Sequence, residues 1–323
     1  MGEAVVVRAT GGPEVLEVAR VDPPTPGPGQ LLVDVAAAGV NYVDTYQRQG
    51  LYPKDLPFTP GSEGAGTVRA LGPDVSGVAV GDRVAWADVP GSYAQHAIVP
   101  ANRAFTVPAG VDDETAAAAM LQGLTAHYLV TSTYPVKPGD TVLVHAAAGG
   151  VGLLLVQVAK ARGGKVIGTV STPEKAALAR EAGADEVIRY TETDFADEVS
   201  RLTGGVGVAA VYDGVGRTTF DRSLDCLAVR GTLALFGASS GPVPPVDPQR
   251  LNSGGSLFLT RPTLGHHIAT AEEFRWRCEE LFSAITGGRL NVRIGGRYPL
   301  ADARRAHEDL EGRRTTGKLL LIP

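Results

Sequence analysis

The chain has 323 residues, enough for two domains of ordinary size; at 44% hydrophobic and 20% charged it has a globular composition, and a net charge of −5 leaves no basic surplus for general nucleic-acid affinity. Its two cysteines, Cys226 and Cys278, exclude a disulfide framework and a four-cysteine zinc lobe, and both are expected to be small buried or half-buried side chains. No apolar run is long enough to span a membrane and MGEAVVVRAT lacks the pattern of a secretory leader, so a cytoplasmic protein is expected.

Residues 4–8 and 15–20 are predicted as strands about the turn Gly11-Gly12-Pro13, and the proline-rich stretch from Pro23 to Gly29 leads to an apolar strand over 31–38. Gly39-Val40-Asn41-Tyr42-Val43-Asp44-Thr45-Tyr46 follows. Gly61 to Gly66 and Gly81 to Val84 punctuate further strands, and 92–99 gives one more, making a β-rich unit of about 110 residues. From Asp112 the pattern turns helical, with acids in a first turn and alanines leading to Met120 and Leu121. Gly123 to Tyr128 is predicted to begin the helix that enters a second domain.

Strand and helix then alternate over 141–145, 151–161, 165–170, 173–182, 186–190, 194–202, 208–212, 217–228 and 232–236, the pattern of a doubly wound parallel sheet. A Gly/Pro/Ser-rich loop over 237–245 interrupts it. A strand over 256–260, an amphipathic helix over 271–286, a helix over 301–310 and a last strand over 319–322 come after. With the parallel sheet already complete, this tail is expected to return to the first domain. The first domain is therefore placed at 1–123 with 265–323, and the second at 124–264.

The most informative stretch is TVLVHAAAGGVGLLLVQVAKARGGKVIGTVSTPEK, 141–175. A buried strand runs into Ala146-Ala147-Ala148-Gly149-Gly150-Val151-Gly152 and then into an apolar helix. The pattern is A-x-x-G-x-x-G, with Ala146 where a dinucleotide fingerprint has its first glycine. Glycines there let a pyrophosphate lie against backbone N–H groups at a helix N-terminus, where a Cβ would hold it away. A tight turn with no ligand would use the same residues, but a following strand, 165–170, supplies the context the fingerprint requires.

An NAD site carries Asp or Glu about 20 residues beyond the first glycine, to hold the ribose 2′-hydroxyl. Here that region is Gly168-Thr169-Val170-Ser171-Thr172, without a carboxylate, and Lys175 follows. A hydroxyl and a cation suit a 2′-phosphate, so NADPH is favoured. The competing reading makes Ser171 a helix cap and Lys175 a solvated lysine.

Taken together, GVNYVDTYQRQGLYP (39–53), PGSEGAG (60–66), GDRV (81–84), HAAAGGVG (145–152), GTVSTPEK (168–175), VYDGVG (211–216) and LTRPTL (259–264) make the chain resemble the zinc-lacking quinone oxidoreductases of the medium-chain dehydrogenase/reductase superfamily, the group that includes zeta-crystallin. The resemblance covers essentially the whole length. It implies an α/β protein with a GroES-like β-barrel catalytic domain built from both chain ends, a Rossmann domain between them, a cleft where nicotinamide meets substrate, and a homodimer formed through the edge of the Rossmann sheet. By matching position it places Asn41 and Tyr46 near the nicotinamide, Thr125 and Tyr128 along the cofactor, and Gly150 and Val151 at the pyrophosphate. Ser171, Lys175 and Tyr190 would surround the 2′-phosphate; Phe236, Gly237 and Ser239 would line the nicotinamide half; Arg313 and Lys318 would reach in from the tail.

Zinc-dependent relatives carry a cysteine ligand near the position of Val43 and a G-H-E segment where this chain has Gly61-Ser62-Glu63, so no metal site is expected. Gly214 replaces a serine of several relatives, which is expected to enlarge the cleft wall. Asn41, Tyr46 and Tyr52 lie in one glycine-bounded loop, and each can hydrogen-bond a carbonyl oxygen. Packing tyrosines with satisfied hydroxyls would give the same residues; the resemblance favours a role for Asn41 and Tyr46 and leaves Tyr52 open. Glu63 is expected to be a buried carboxylate held by backbone N–H groups rather than a proton relay, and His145 a packed histidine. Metal-independent quinone reduction by NADPH is the implied activity. An enoyl or alkenal double-bond reductase is the alternative of the same chemistry, and an NADPH-binding RNA-binding or sensor protein the alternative of another class.

Overall fold

A computed structural model describes Met1 to Pro323, and it divides into two compact units, Met1–Leu124 with Ile268–Pro323, and Thr125–His267. In the first unit, β1 (Gly2–Val7) and β2 (Leu16–Val21) form an antiparallel pair. β3 (Gln30–Val40), β4 (Glu63–Leu71), β5 (Arg83–Ala87), β6 (His96–Pro100) and β7 (Ala104–Thr106) join by antiparallel pairing, β3 lying between β4 and β6. The core is filled by β-branched residues of these strands, such as Val33, Val68 and Val84, around Trp86 and Tyr93.

The glycine-bounded segment after β3 is helical: α1 (Tyr42–Arg48) opens at Asn41, whose backbone N–H donates to Asp44 Oδ2 at 2.8 Å. The return of the Asp44 carboxylate to the Asn41 N–H makes a helix of a stretch whose glycine-bounded sequence predicts a loop. α2 (Asp113–Tyr128) is one continuous helix rather than two; Asp112 accepts from the Thr115 N–H at its start, and Ala116 to Ala119 are fully buried.

The second unit holds β8 (Thr141–Val144), α3 (Gly150–Ala161), β9 (Lys165–Val170), α4 (Pro173–Glu181), β10 (Glu186–Arg189), α5 (Phe195–Leu202), β11 (Val208–Asp213), α6 (Phe220–Asp225), β12 (Leu227–Leu235), α7 (Gln249–Ser253), β13 (Phe258–Thr260) and α8 (Leu264–His267). All its strands are parallel, in the order β10-β9-β8-β11-β12-β13. Numbered within the unit that order is 3-2-1-4-5-6, which reverses direction between β8 and β11 and leaves a crevice at their carboxyl ends. Both faces of the sheet are covered, which explains why Val142, Leu143 and Val144 are apolar without alternation. α6 is much shorter than the helix expected over 217–228.

The tail completes the first unit with α9 (Ala271–Thr286), β14 (Ile294–Pro299), α10 (Ala303–Glu311) and β15 (Lys318–Ile322). α9 starts on Thr270, whose hydroxyl accepts from the Glu273 N–H at 3.1 Å, and acids fill its first turn. β15 pairs antiparallel with β3 and parallel with β14, so the last strand of the chain lies inside the sheet, one strand from its edge.

Candidate active site

The glycine turn lies at the carboxyl end of β8, and its geometry requires the residues found there. Ala146 takes a left-handed φ of 50°. A Cβ on Gly152 would stand 2.2 Å from the Ala146 carbonyl oxygen and one on Gly149 would stand 3.1 Å from it. Gly149 caps α3 without any side-chain acceptor, so the first N–H groups of this twelve-residue helix, in Gly150, Val151 and Gly152, are not covered by a cap side chain. Close backbone, uncovered donors and the positive end of a helix dipole fit a pyrophosphate.

Beside the turn, the loop after β9 carries Ser171. The helix cap here is Thr172, which accepts from the Lys175 N–H at 3.3 Å, so Ser171 is not the cap that its sequence position also allowed. The Tyr190 N–H donates to the Val170 carbonyl at 3.1 Å and the Thr191 hydroxyl to the Ser171 carbonyl at 3.0 Å. The ends of β9 and β10, which carry Ser171 and Tyr190, therefore lie side by side, with Lys175 in the first turn of α4 and Tyr190 43% exposed. Their hydroxyls and ammonium suit a 2′-phosphate.

The far side of the crevice is held by Asp213, which is fully buried at the end of β11. Its Oδ1 accepts from the Val215 and Gly216 N–H groups at 2.7 and 3.0 Å; its Oδ2 accepts from Thr219 and Ser223 hydroxyls at 2.7 and 3.1 Å. Ser223 Oγ lies 2.9 Å from His145 Nε2, and His145 Nδ1 lies 2.9 Å from Thr169 Oγ1. Burial lowers the His145 pKa, with Asp213 opposing. This network pins the ends of β8, β9 and β11; His145 is a packed, bonded histidine.

Phe236, Gly237 and Ser239 follow β12, with the Phe236 N–H on the Asp213 carbonyl at 2.9 Å and the Ser239 N–H on the Gly214 carbonyl at 3.1 Å. The expectation that Gly214 enlarges a wall is corrected here. A Cβ on Gly214 would meet the Phe236 ring at 2.9 Å, so the space is taken by that ring. Thr125 is buried in α2, and Tyr128 at its end stacks on His267 at 4.2 Å between ring centroids.

In the first unit, Asn41 sits in a buried polar cluster. Its Nδ2 donates to Glu63 Oε1 at 2.6 Å, and its Oδ1 accepts from Lys318 Nζ at 2.8 Å and from Gln122 Nε2 at 3.2 Å. Lys318, 1% exposed, forms an ion pair with Glu63, whose other oxygen accepts the Leu121 N–H at 2.6 Å. Glu63 therefore takes one backbone donor and two side-chain donors. Burial lowers the Lys318 pKa, opposed by Glu63. Gly39 makes room for the pair, since a Cβ there would lie 2.3 Å from Glu63 Oε1 and 2.6 Å from Lys318 Cε. Lys318 is thereby committed within the protein, whereas Arg313 is exposed in the turn before β15.

α1 also carries Tyr46, whose ring meets Tyr52 edge-on at 5.3 Å. Behind α1 a second buried group holds it in place. Asp44 accepts from Ser62 Oγ at 3.1 Å and from Tyr93 OH at 2.9 Å, and Tyr93 OH lies 3.1 Å from His307 Nε2. Arg48 Nη1 lies 3.0 Å from His307 Nδ1, and the guanidinium reaches both Glu311 oxygens at 3.0 and 3.1 Å. Burial and Arg48 lower the His307 pKa to about 3, so the ring is neutral: Nδ1 accepts from Arg48, and Nε2–H donates to Tyr93. Burial raises the Asp44 pKa to about 6 against the Asn41 N–H, Tyr93 and Lys318. Sequence reasoning missed Gln122, Asp44, Tyr93, Arg48 and His307.

A family model described as the alcohol dehydrogenase GroES-like domain matches residues 27–109, and one described as zinc-binding dehydrogenase matches 150–283. The second description names zinc, yet no three His, Cys, Asp or Glu side chains converge in this chain as a ligand set. A quinone oxidoreductase of Pseudomonas aeruginosa is 48% identical over the full length of both chains. Among solved structures, a mycobacterial protein complexed with NADPH is 58% identical with a TM-score of 0.97, covering 99% of this chain and 100% of its own. The Escherichia coli quinone oxidoreductase complexed with NADPH is 46% identical with a TM-score of 0.98, covering 99% and 100%.

Proposed function

Because the chain belongs to the quinone oxidoreductases of the medium-chain dehydrogenase/reductase superfamily, we propose that it reduces quinones with NADPH by metal-independent hydride transfer. The observation that carries this reading is the glycine cradle at α3 beside a loop that offers Ser171, Lys175 and Tyr190 where an NAD site would place a carboxylate. NADPH when bound supplies a hydride from C4 of its nicotinamide.

The N–H groups of Gly150, Val151 and Gly152 hold the pyrophosphate, and Ser171, Lys175 and Tyr190 hold the 2′-phosphate. Thr125, Tyr128, Phe236, Gly237 and Ser239 line the rest of the cofactor, with Arg313 reaching it from the tail. Asn41, Tyr46 and Tyr52 orient the acceptor. A quinone becomes aromatic when it takes a hydride, so its oxygens need donors at a developing phenolate more than a strong acid. Asn41 can supply one: an Nδ2 hydrogen is held by Glu63, while the Gly39 carbonyl stands at 3.5 Å, the limit of a hydrogen bond. Lys318 acts through Asn41.

The same reading includes a cytoplasmic homodimer that does not bind nucleic acid. Its support is the edge strand β13, where Phe258 is 60% exposed, and the negative net charge. Light scattering reports the mass, and filter binding of RNA at physiological salt tests the last point.

The test of activity is NADPH oxidation with a panel of quinones, enones, enoyl thioesters, aliphatic ketones and ethanol. Turnover with simple quinones and none with aliphatic ketones or ethanol is expected. Enoyl thioesters exceeding every quinone in kcat/KM by a large factor would make it a double-bond reductase.

A further inference from the structure

The Asn41 cluster ends on an atom with nothing to bond. Glu63 accepts from Asn41 Nδ2 and Lys318 donates to Asn41 Oδ1, so the orientation of that amide is set by two opposite charges. Asn41 Oδ1 can then be met only by a donor, and Gln122 meets it with Nε2 at 3.2 Å. This turns Gln122 Oε1 away from the cluster. That oxygen is buried, in a residue 9% exposed, and has no partner in the protein. Rotating the amide would not help, because it would set Oε1 against Asn41 Oδ1.

A buried acceptor aimed away from the cluster that fixes its amide calls for an N–H or O–H from outside the chain. A quinone has acceptors only and cannot supply one. NADPH carries such donors at its nicotinamide end, in the carboxamide and the ribose hydroxyls. The hydroquinone product carries O–H groups as well.

We propose that Gln122 is a cofactor-binding residue whose Oε1 accepts a hydrogen bond from the nicotinamide or its ribose in NADPH, with Glu63, Lys318 and Asn41 setting its orientation. The inference rests on the reading of the chain as an NADPH enzyme. It gives Gln122 a signature that a packing role lacks. Replacing it with an apolar side chain of similar size removes an unpaired polar group from the free protein and removes a bond from the complex.

The experiment measures binding of NADPH and of 2′,5′-ADP, which lacks the nicotinamide riboside, to wild type and to Gln122→Met, with thermal melts of each protein without ligand. Gln122→Met is expected to melt no lower than wild type, to bind NADPH about 5- to 30-fold more weakly, and to bind 2′,5′-ADP unchanged. Unchanged NADPH affinity, or equal losses for both ligands, overturns the proposal. So does weaker inhibition by hydroquinone with NADPH affinity intact, which would assign the donor to the product. Gln122→Leu is read by the same criteria if the Met variant does not fold. A wild type that binds neither nucleotide would instead sink the NADPH reading itself, and this inference with it.

Discussion

Lys318 Nζ lies 2.8 Å from the Asn41 side-chain oxygen, across 277 residues of sequence, and the same ammonium is paired with Glu63. A buried ion pair of this kind is a poor source of net stability, because desolvating both charges offsets their attraction; removing one partner leaves the other buried and alone. Lys318→Met should therefore cost about 3–5 kcal/mol, and Glu63→Gln combined with Lys318→Met should restore most of it. Urea titrations of both variants decide this. If Lys318 works only through Asn41 and Gln122, the double variant loses kcat and no more NADPH affinity than Gln122→Met does; a larger loss of NADPH affinity would mean that the lysine touches the cofactor.

The proposed hold on the 2′-phosphate places nucleotide choice in the loop after β9. Charge-assisted bonds to a 2′-phosphate contribute about 1.5–3 kcal/mol each, less where solvent reaches them. Replacing both Ser171 and Lys175 by alanine should weaken NADPH roughly ten- to several-hundred-fold and leave NADH nearly unaffected. Equal losses for both nucleotides would show that these residues shape the loop.

Asp44 makes stability depend on pH. Its folded pKa, raised to about 6 by burial, exceeds the unfolded value near 3.9, so the native state binds the extra proton between those limits. Stability from this group is then full below pH ~4 and falls as the pH rises to about 6, by roughly 3 kcal/mol in all. Subtracting the unfolding free energy of Asp44→Asn from that of wild type should give a difference that declines across this window and is flat above it.

Tyr46→Phe keeps the ring against Tyr52 and removes only the hydroxyl. With a quinone, turnover should fall by less than the roughly 10²–10⁴-fold that marks loss of a general acid. Abolished turnover in steady-state assays would mean that the phenol delivers a proton.

Gly214→Ser places a Cβ 2.9 Å from the Phe236 ring and forces it to move. Such overpacking costs about 1–3 kcal/mol, visible in thermal melts. An undisturbed melting temperature would show that the ring yields without strain.

The parallel unit was legible because its strands are short unbroken apolar runs followed by helices, and because the glycine turn has few other uses. α1 was not, since NYVDTYQR between glycines shows a helix only once Asp44 is seen to return to the Asn41 N–H. β14 was missed because Gly295, Gly296 and Arg297 give no apolar alternation; its pairing comes from β15. The polar cluster behind α1 joins Asp44, Tyr93, Arg48 and His307 from segments far apart in the chain, and no local pattern marks such residues. Gly214 was visible as a missing side chain, but only the packed structure shows Phe236 in its place.

Chain order gives the Glu63–Lys318 pair a further consequence. The unit Thr125–His267 is continuous and lies between the two partners, so a growing polypeptide presents Glu63 and Asn41 long before their lysine exists. Until β15 emerges, β3 lacks a neighbour and the Glu63 carboxylate has no cation to be buried with. The continuous unit can close around its own parallel sheet first, domains generally folding as units during synthesis. The half that carries Asn41 cannot be complete until the chain's last strand exists, whereas the continuous unit needs nothing that follows His267.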